Sequence, residues 1–352
     1  MNLDFRNLPT GNLPYNDIQL CKQMMLRLYE KIPFLPELPL LDSNDTLFNR
    51  TFSNIPSIMV KDGKIILPDI NDNQFTLAML HLDSAYESDN VSYLDKYGTE
   101  TPYFNLYVEI IKKIKPNYTI INLMGAFTFA NSVFNRNASS LLTDRMYRRF
   151  IVEAITIKAL WFINKIKEAY PSIKPIIIFE ENFLYKFGTL KRTNDSITKE
   201  TVTTILSKIF QRVKKAGGYV CVQSFEKCNW QLIFESGNVD MVSFDAYNNP
   251  SNLSIIAGDV SRFLQKGGYI NWGIVPVMNE NAIRSLNIDK LYDKFTSTLE
   301  DLASCGVSMD LLYKNSTISV QGNLSKYPIL FAEKALIMAN QLSKKIPFTS
   351  AK

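Results

Sequence analysis

The chain has 352 residues, of which 46% are hydrophobic and 12% aromatic, and it carries a formal charge of +5 at pH 7. Such a composition can bury a full core, which excludes a disordered chain, and the length suits either two average domains or one large α/β barrel. The 39 Lys and Arg are scattered among 34 acids, so the basic stripe of a nucleic-acid binder is not expected.

The opening "MNLDFRNLPTGNLP" lacks the apolar run of a signal peptide, and no uncharged apolar stretch reaches the ~18 residues that span a bilayer. A cytoplasmic protein with no membrane partner is expected. "PTGNLPYND" reads as the end of a first strand, and Asp17 as the cap of a helix "IQLCKQMMLRLYEKI". "PFLPELP" suits a second, Pro-bounded strand. "IPSIMVKDGKIILPD" reads as a β-hairpin excursion within residues 52–71, turning at Lys61-Asp62-Gly63-Lys64. The only histidine, His81, lies in the apolar, helix-like "LAMLHLDSAY" and reads as structural.

From about residue 117 strands and helices alternate. "YTIINLMGAF" (118–127) is a β-branched run, and a long amphipathic stretch, "LLTDRMYRRFIVEAITIKALWFINKIKEAY", follows it. "KPIIIFEEN" (174–182) is too continuously apolar for an open edge and suits a strand covered on both faces. Thr198 opens the next helix and Ala216-Gly217-Gly218 closes it. "GGYVCVQS", "VDMVSFDAYN" (239–248), "GGYINWGIVPV" (267–277) and "DLLYKNSTISVQ" (310–321) supply four more strands, with a last amphipathic helix near 325–345. Six βα units plus two early strands predict a single (β/α)8 TIM barrel over residues 1–352, α/β in class, with an elaborated N-terminal third. A doubly wound sheet would call for a Gly-rich phosphate turn, and no G-x-G-x-x-G or G-x-x-x-x-G-K-[ST] is present.

Barrel enzymes carry their working groups at the C-terminal ends of the strands. Strand four ends in Glu180-Glu181-Asn182, of which alternation lets only one acid point to the axis. Strand six ends in Asp245-Ala246-Tyr247-Asn248. The acids and Tyr247 are the candidate catalytic groups. Asn12, Asn122, Gln223, Trp272, Ser319 and Gln321 are the candidate substrate contacts. The four cysteines (Cys21, Cys221, Cys228, Cys305) form no C-x-x-C pair and no disulfide framework, and one histidine excludes His-rich zinc sites and most Ser-His-Asp arrangements.

"TGNLP", "IPFLPELP", "EEN…FG", "FDAYN" and "WGIVP" occur in an order that resembles the cobalamin-independent methionine synthase and uroporphyrinogen decarboxylase-like barrels, in particular small bacterial members related to the synthase's C-terminal half. The resemblance covers nearly the whole chain and implies the barrel fold. For the methyltransferase branch it implies a zinc ion that activates a thiol, held by His-x-Cys after strand five, a carboxylate after strand six and a Cys after strand eight. Those positions correspond to Gln223, Phe225, Asp245 and the neighbourhood of Gly322, so only the carboxylate is retained and an ordinary zinc site is not expected. Cys228 swinging back toward Cys221 and Asp245 is the one rearranged alternative. Where relatives carry Gly-Ser-x-Pro-His, this chain has Gly11-Asn12-Leu13-Pro14-Tyr15. The decarboxylase branch implies an Arg-rich N-terminal segment, whereas Arg6 stands almost alone. The expectation is a divergent methyltransferase acting on a small thiol or related acceptor without the usual zinc. The alternatives are a non-catalytic accessory protein of a corrinoid or methyltransferase partner and a decarboxylase-like activity.

Overall fold

The computed structural model of the chain describes residues 1, 3, 6–61, 64–88, 95–98, 101–187, 197–277 and 280–347. A short antiparallel pair, β1 (Met59–Lys61) and β2 (Lys64–Ile66), stands outside the main sheet at the predicted excursion, with its turn at Asp62 and Gly63 outside the described residues. The main sheet is parallel and runs β3 (Tyr118–Met124), β4 (Lys174–Glu180), β5 (Tyr219–Ser224), β6 (Met241–Phe244), β7 (Tyr269–Val275) and β8 (Ser316–Val320), each paired with its neighbour in sequence.

Two N-terminal staves close this sheet on itself. Leu8 N–H donates to Ile318 C=O at 2.7 Å, which ties the first stave to β8. Glu37 N–H donates to Gly11 C=O at 2.7 Å, tying the second stave to the first, and Leu35 N–H donates to Ile120 C=O at 3.1 Å, tying it to β3. With eight staves in a ring, the fold is a (β/α)8 barrel. The first two are too short to register as strands, because prolines at 9, 14, 33 and 36 remove the donors that a longer ladder needs.

Alternation then sorts each strand into an inner and an outer set. On β4, Ile177 and Phe179 face outward, the latter against Phe210 of the helix Lys199–Lys215 at a ring-centroid distance of 5.8 Å. Ile176, Ile178 and Glu180 face the axis. Helix ends follow local chemistry. Asp17 accepts from Gln19 N–H and caps Ile18–Leu28, Thr198 accepts from Thr201 N–H, and Gly217 takes the left-handed φ of +76° that ends Lys199–Lys215.

Two boundaries differ from the expectation. The long amphipathic stretch divides at Asp144, which caps the helix Arg145–Ala169 by accepting from Met146 and Tyr147 N–H. That helix is buried nearly all round, because the helices Asn73–Glu87 and Phe104–Ile114 of the elaborated N-terminal third cover its outer side. The "DLLYK" predicted to begin strand eight is instead the helix Met309–Lys314, capped by Ser308, and β8 starts only at Ser316. His81 is exposed on Asn73–Glu87, and its carbonyl accepts from the Tyr97 hydroxyl at 3.3 Å. Among the described residues no helix is long and apolar enough to cross a membrane.

Candidate functional site

Polar side chains fill the inner face where an apolar barrel core would normally lie, so each needs a partner to offset its desolvation. Around β5–β8 they bond to one another. Ser243 Oγ donates to Gln223 Oε1 at 3.2 Å, Asn271 Nδ2 donates to Ser243 and Ser319 Oγ at 2.8 Å each, and Thr317 Oγ1 donates to Asn271 Oδ1 at 3.0 Å. This network fixes the amide of Gln223 and the hydroxyl of Ser319 from below.

On the opposite side of the barrel the partners are charged. Asn122 Nδ2 donates to Glu180 Oε1 at 3.0 Å. Glu37, on the second stave, is 2% exposed, interacts with Glu180, and has an Oε1 that accepts no hydrogen bond. Behind them Arg50, wholly enclosed, donates to the Leu35 and Pro36 carbonyls at 2.9 and 2.6 Å and lies 4.0 Å from Glu37 and 3.6 Å from Asp45. Glu37 and Asp45 thus share one buried guanidinium, whose charge also reaches Glu180. Burial raises the Glu37 carboxyl to about 8, with Arg50 opposing and Glu180 and Asp45 reinforcing. Burial raises Glu180 too, against the Asn122 hydrogen bond and Arg50. Burial thus pushes both carboxyls toward the neutral form, and the nearby Glu180 adds repulsion at Glu37. Gly11 belongs to this corner, since a Cβ there would come within 3.3 Å of both Asn122 and Glu37.

Above these layers the C-terminal ends of β4–β8 open into a cavity of about 870 Å³. Asp245 lines it. The Asp245 carboxylate accepts from Asn248 N–H at 3.0 Å, Asn248 Nδ2 at 2.8 Å, Gln321 Nε2 at 3.0 Å and Asn249 Nδ2 at 3.5 Å. Asn182 joins the wall and holds the Phe225 N–H at 3.0 Å. Asp245, Gln321, Gln223, Ser319, Asn122 and Glu180 therefore all face the barrel's interior or mouth.

Four predicted residues are placed elsewhere. Glu181 points outward, 1% exposed, and accepts from Phe127 and Thr128 N–H at 3.1 Å each, closing the start of the helix Ala126–Ser132. Its carboxyl, raised to about 7 by burial, is a cap and not a mouth acid. Gly125 exists for this contact, because a Cβ there would lie 2.2 Å from Glu181 Cδ. Trp272 is fully buried on the outer face of β7, where Nε1 donates to Ser316 Oγ at 2.7 Å and the ring packs edge-on to Phe295, out of reach of any ligand at the mouth. The phase of the strand decides this, since Asn271 and Gly273 take the inward positions. Tyr247 lies under Lys294, whose Nζ is 4.5 Å from the ring centroid, and does not line the cavity. Asn12 joins the first two staves through its backbone, pairing with Glu37 and accepting from Leu324 N–H.

The zinc set implied by the resemblance does not fit. Gln223 Oε1 is engaged by Ser243, Phe225 offers no donor atom, and Asp245 is already bonded to amides. Cys228 lies by Glu181, and Cys221, one full alternation below Gln223, feels Asp240 at the other end of the barrel. Burial holds both thiols well above the usual range. Among the described residues no three His, Cys, Asp or Glu are grouped to hold a metal ion.

Glu37, Arg50 and Asp45 are not foreseen from the sequence. The signal available is a Glu inside the apolar, Pro-bounded "PFLPELP".

Comparison with family profiles and with curated protein sequences found no match. Among solved structures, the chain is similar to an IolI protein with a bound zinc atom (13% identity, 69% of this chain and 92% of that chain, TM-score 0.36). It is also similar to a GH5-4 broad-specificity endoglucanase from Bacteroides salanitronis (13%, 72% and 76%, 0.39) and a putative alpha-L-fucosidase from Bacteroides thetaiotaomicron VPI-5482 (11%, 84% and 95%, 0.39).

Proposed function

We propose that this barrel is an enzyme that binds a small polar molecule at its mouth and exchanges a proton with it. Asp245 contacts the ligand, with Gln321 and Asn248 holding the carboxylate in position. Glu180, deeper and 7% exposed, is the proton-transfer group, and Glu37 behind it is a positioning residue that stores the proton. The observation that carries the reading is the burial of two carboxyls, Glu37 and Glu180, in one corner of the barrel interior beside Asn122 and Arg50. A purely structural core has little use for two buried carboxyls near one Arg.

The test is a thermal-shift screen of small polar metabolites, followed by ¹H NMR of each binder in D₂O for bond cleavage or deuterium uptake. Glu180→Gln is expected to slow turnover by about 10²–10⁴-fold, the usual share of a general acid or base. It should leave binding far less affected, whereas Asp245→Asn should weaken binding itself. Turnover that survives Glu180→Gln unchanged rejects the assignment.

A second reading is a divergent methyltransferase related to the methionine synthase barrels. In its favour, the positions where the resemblance puts metal ligands converge here, since Phe225, Asp245 and Gly322 line one cavity with Gln223 beneath. Against it stand the donor atoms themselves, which among the described residues do not assemble a metal site to activate a thiol. Methyl transfer from any donor to a thiol by the purified protein would favour this reading. A non-catalytic accessory role predicts a ligand bound and never turned over.

A further inference from the structure

We propose that the mouth ligand is a neutral, polyhydroxylated ring, of the chemistry of a mono- or disaccharide or a cyclitol. The inference rests on the acid–base reading of the same site and adds the substrate class. The wall of the cavity carries the argument. Four aromatic rings, Phe183, Tyr185, Phe225 and Tyr327, border it, with Tyr185 41% exposed. Between them stand the amides of Asn248, Asn249, Asn323 and Gln321. Asn248, Asn249 and Gln321 each give one N–H to Asp245, and an amide NH2 has a second; an amide, like a hydroxyl, both donates and accepts, so this wall suits a ring of hydroxyls. Aromatic faces carry negative charge density and receive the C–H face of a sugar ring, the one part of it that is not polar.

The lining of the described residues favours this class over others. The cavity holds two carboxylates, Asp245 and Glu226, against one lysine, Lys326. Among the described residues the wall carries no arginine, whereas phosphates and polycarboxylates are ordinarily gripped by Arg forks. A lipid or steroid would meet amides instead of an aliphatic lining. The volume of about 870 Å³ lies in the range of small-molecule sites and leaves room for more than one ring.

Saturation-transfer difference NMR tests this directly. The probes are glucose, xylose, cellobiose and myo-inositol, set against inorganic phosphate, citrate and methionine. Irradiating the protein's methyl protons should saturate the C–H protons of at least one neutral probe. Phe225→Ala, checked for an unchanged melting temperature, should weaken that signal at least tenfold, and so should Asp245→Asn. Saturation confined to citrate, phosphate or methionine overturns the inference, and so does a sugar signal that Phe225→Ala leaves intact. The underlying reading fails by a different measurement, the protonation of Glu37 described below, so the two failures are distinguishable.

Discussion

Glu180 and Glu181 are consecutive, and the strand sends them to opposite sides of one sheet. Glu180 enters the barrel, meets Asn122, and shares its surroundings with Glu37. Glu181 enters the layer between sheet and helices and closes the open N–H groups of Ala126–Ser132. β7 repeats the contrast, since Asn271 joins the inner polar network while Trp272 packs outside against Phe295. The outer layer uses polar groups to finish helices and anchor rings. The inner layer uses them in numbers that packing does not require, and above them lies the cavity. Substitutions in the outer layer should therefore cost stability, and those in the inner layer should chiefly cost binding and chemistry.

The largest effect expected is at Trp272. Trp272→Ala removes a buried ring and its hydrogen bond to Ser316, and should lower the unfolding free energy by about 3–5 kcal/mol, the usual range for buried Phe or Trp. Chemical denaturation measures it, and ligand binding below the transition should stay intact. Gly125→Ala comes next. Its methyl group collides with Glu181, and an overpacking loss of about 1–3 kcal/mol is expected, again without effect at the mouth.

A pH dependence separates the layers further. Burial raises Glu37 and Glu153 to about 8 and Glu181 to about 7, from ordinary values near 4.5. The folded chain then binds more protons than the unfolded chain between those limits. This contribution to stability is complete below about 4.5 and lost as pH rises through 7 to 8. For an enclosed carboxyl, each tenfold gain in proton affinity on folding is worth about 1.4 kcal/mol. Melting temperature should therefore fall from pH 5 to pH 7, and Glu37→Gln should flatten part of that slope. A slope that Glu37→Gln leaves unchanged would mean that Glu37 is ionised in the fold. The smallest effect on stability is expected at Asp245. Asp245→Asn keeps the shape and exchanges partners with neighbouring amides, and should change stability by about 1 kcal/mol or less, while ligand affinity falls at least tenfold.

Much of the barrel is legible because its later strands are long apolar runs bounded by turn residues, and strand ends then point to Glu180, Asp245 and Gln321. Trp272 is misassigned from sequence for want of strand phase, which the inward polar residues Asn271 and Ser243 reveal only once the strands are paired. Residues 310–314 read as strand because "LLY" fits either period, and the cap at Ser308 decides for helix. The Glu37–Arg50 corner is not legible at all. It joins a stave only a few residues long to a six-residue helix, Leu47–Phe52, and nothing local marks Arg50 as buried.

The central claim is that Glu37, buried beside Glu180, is protonated at neutral pH. The most direct measurement is infrared difference spectroscopy of the wild type minus Glu37→Gln, recorded from pH 5 to pH 9. A protonated-carboxyl carbonyl band is predicted at pH 7, fading as the pH passes 8 and shifted in frequency by Glu180→Gln. Absence of that band throughout the range would mean that Glu37 is ionised and would contradict the account.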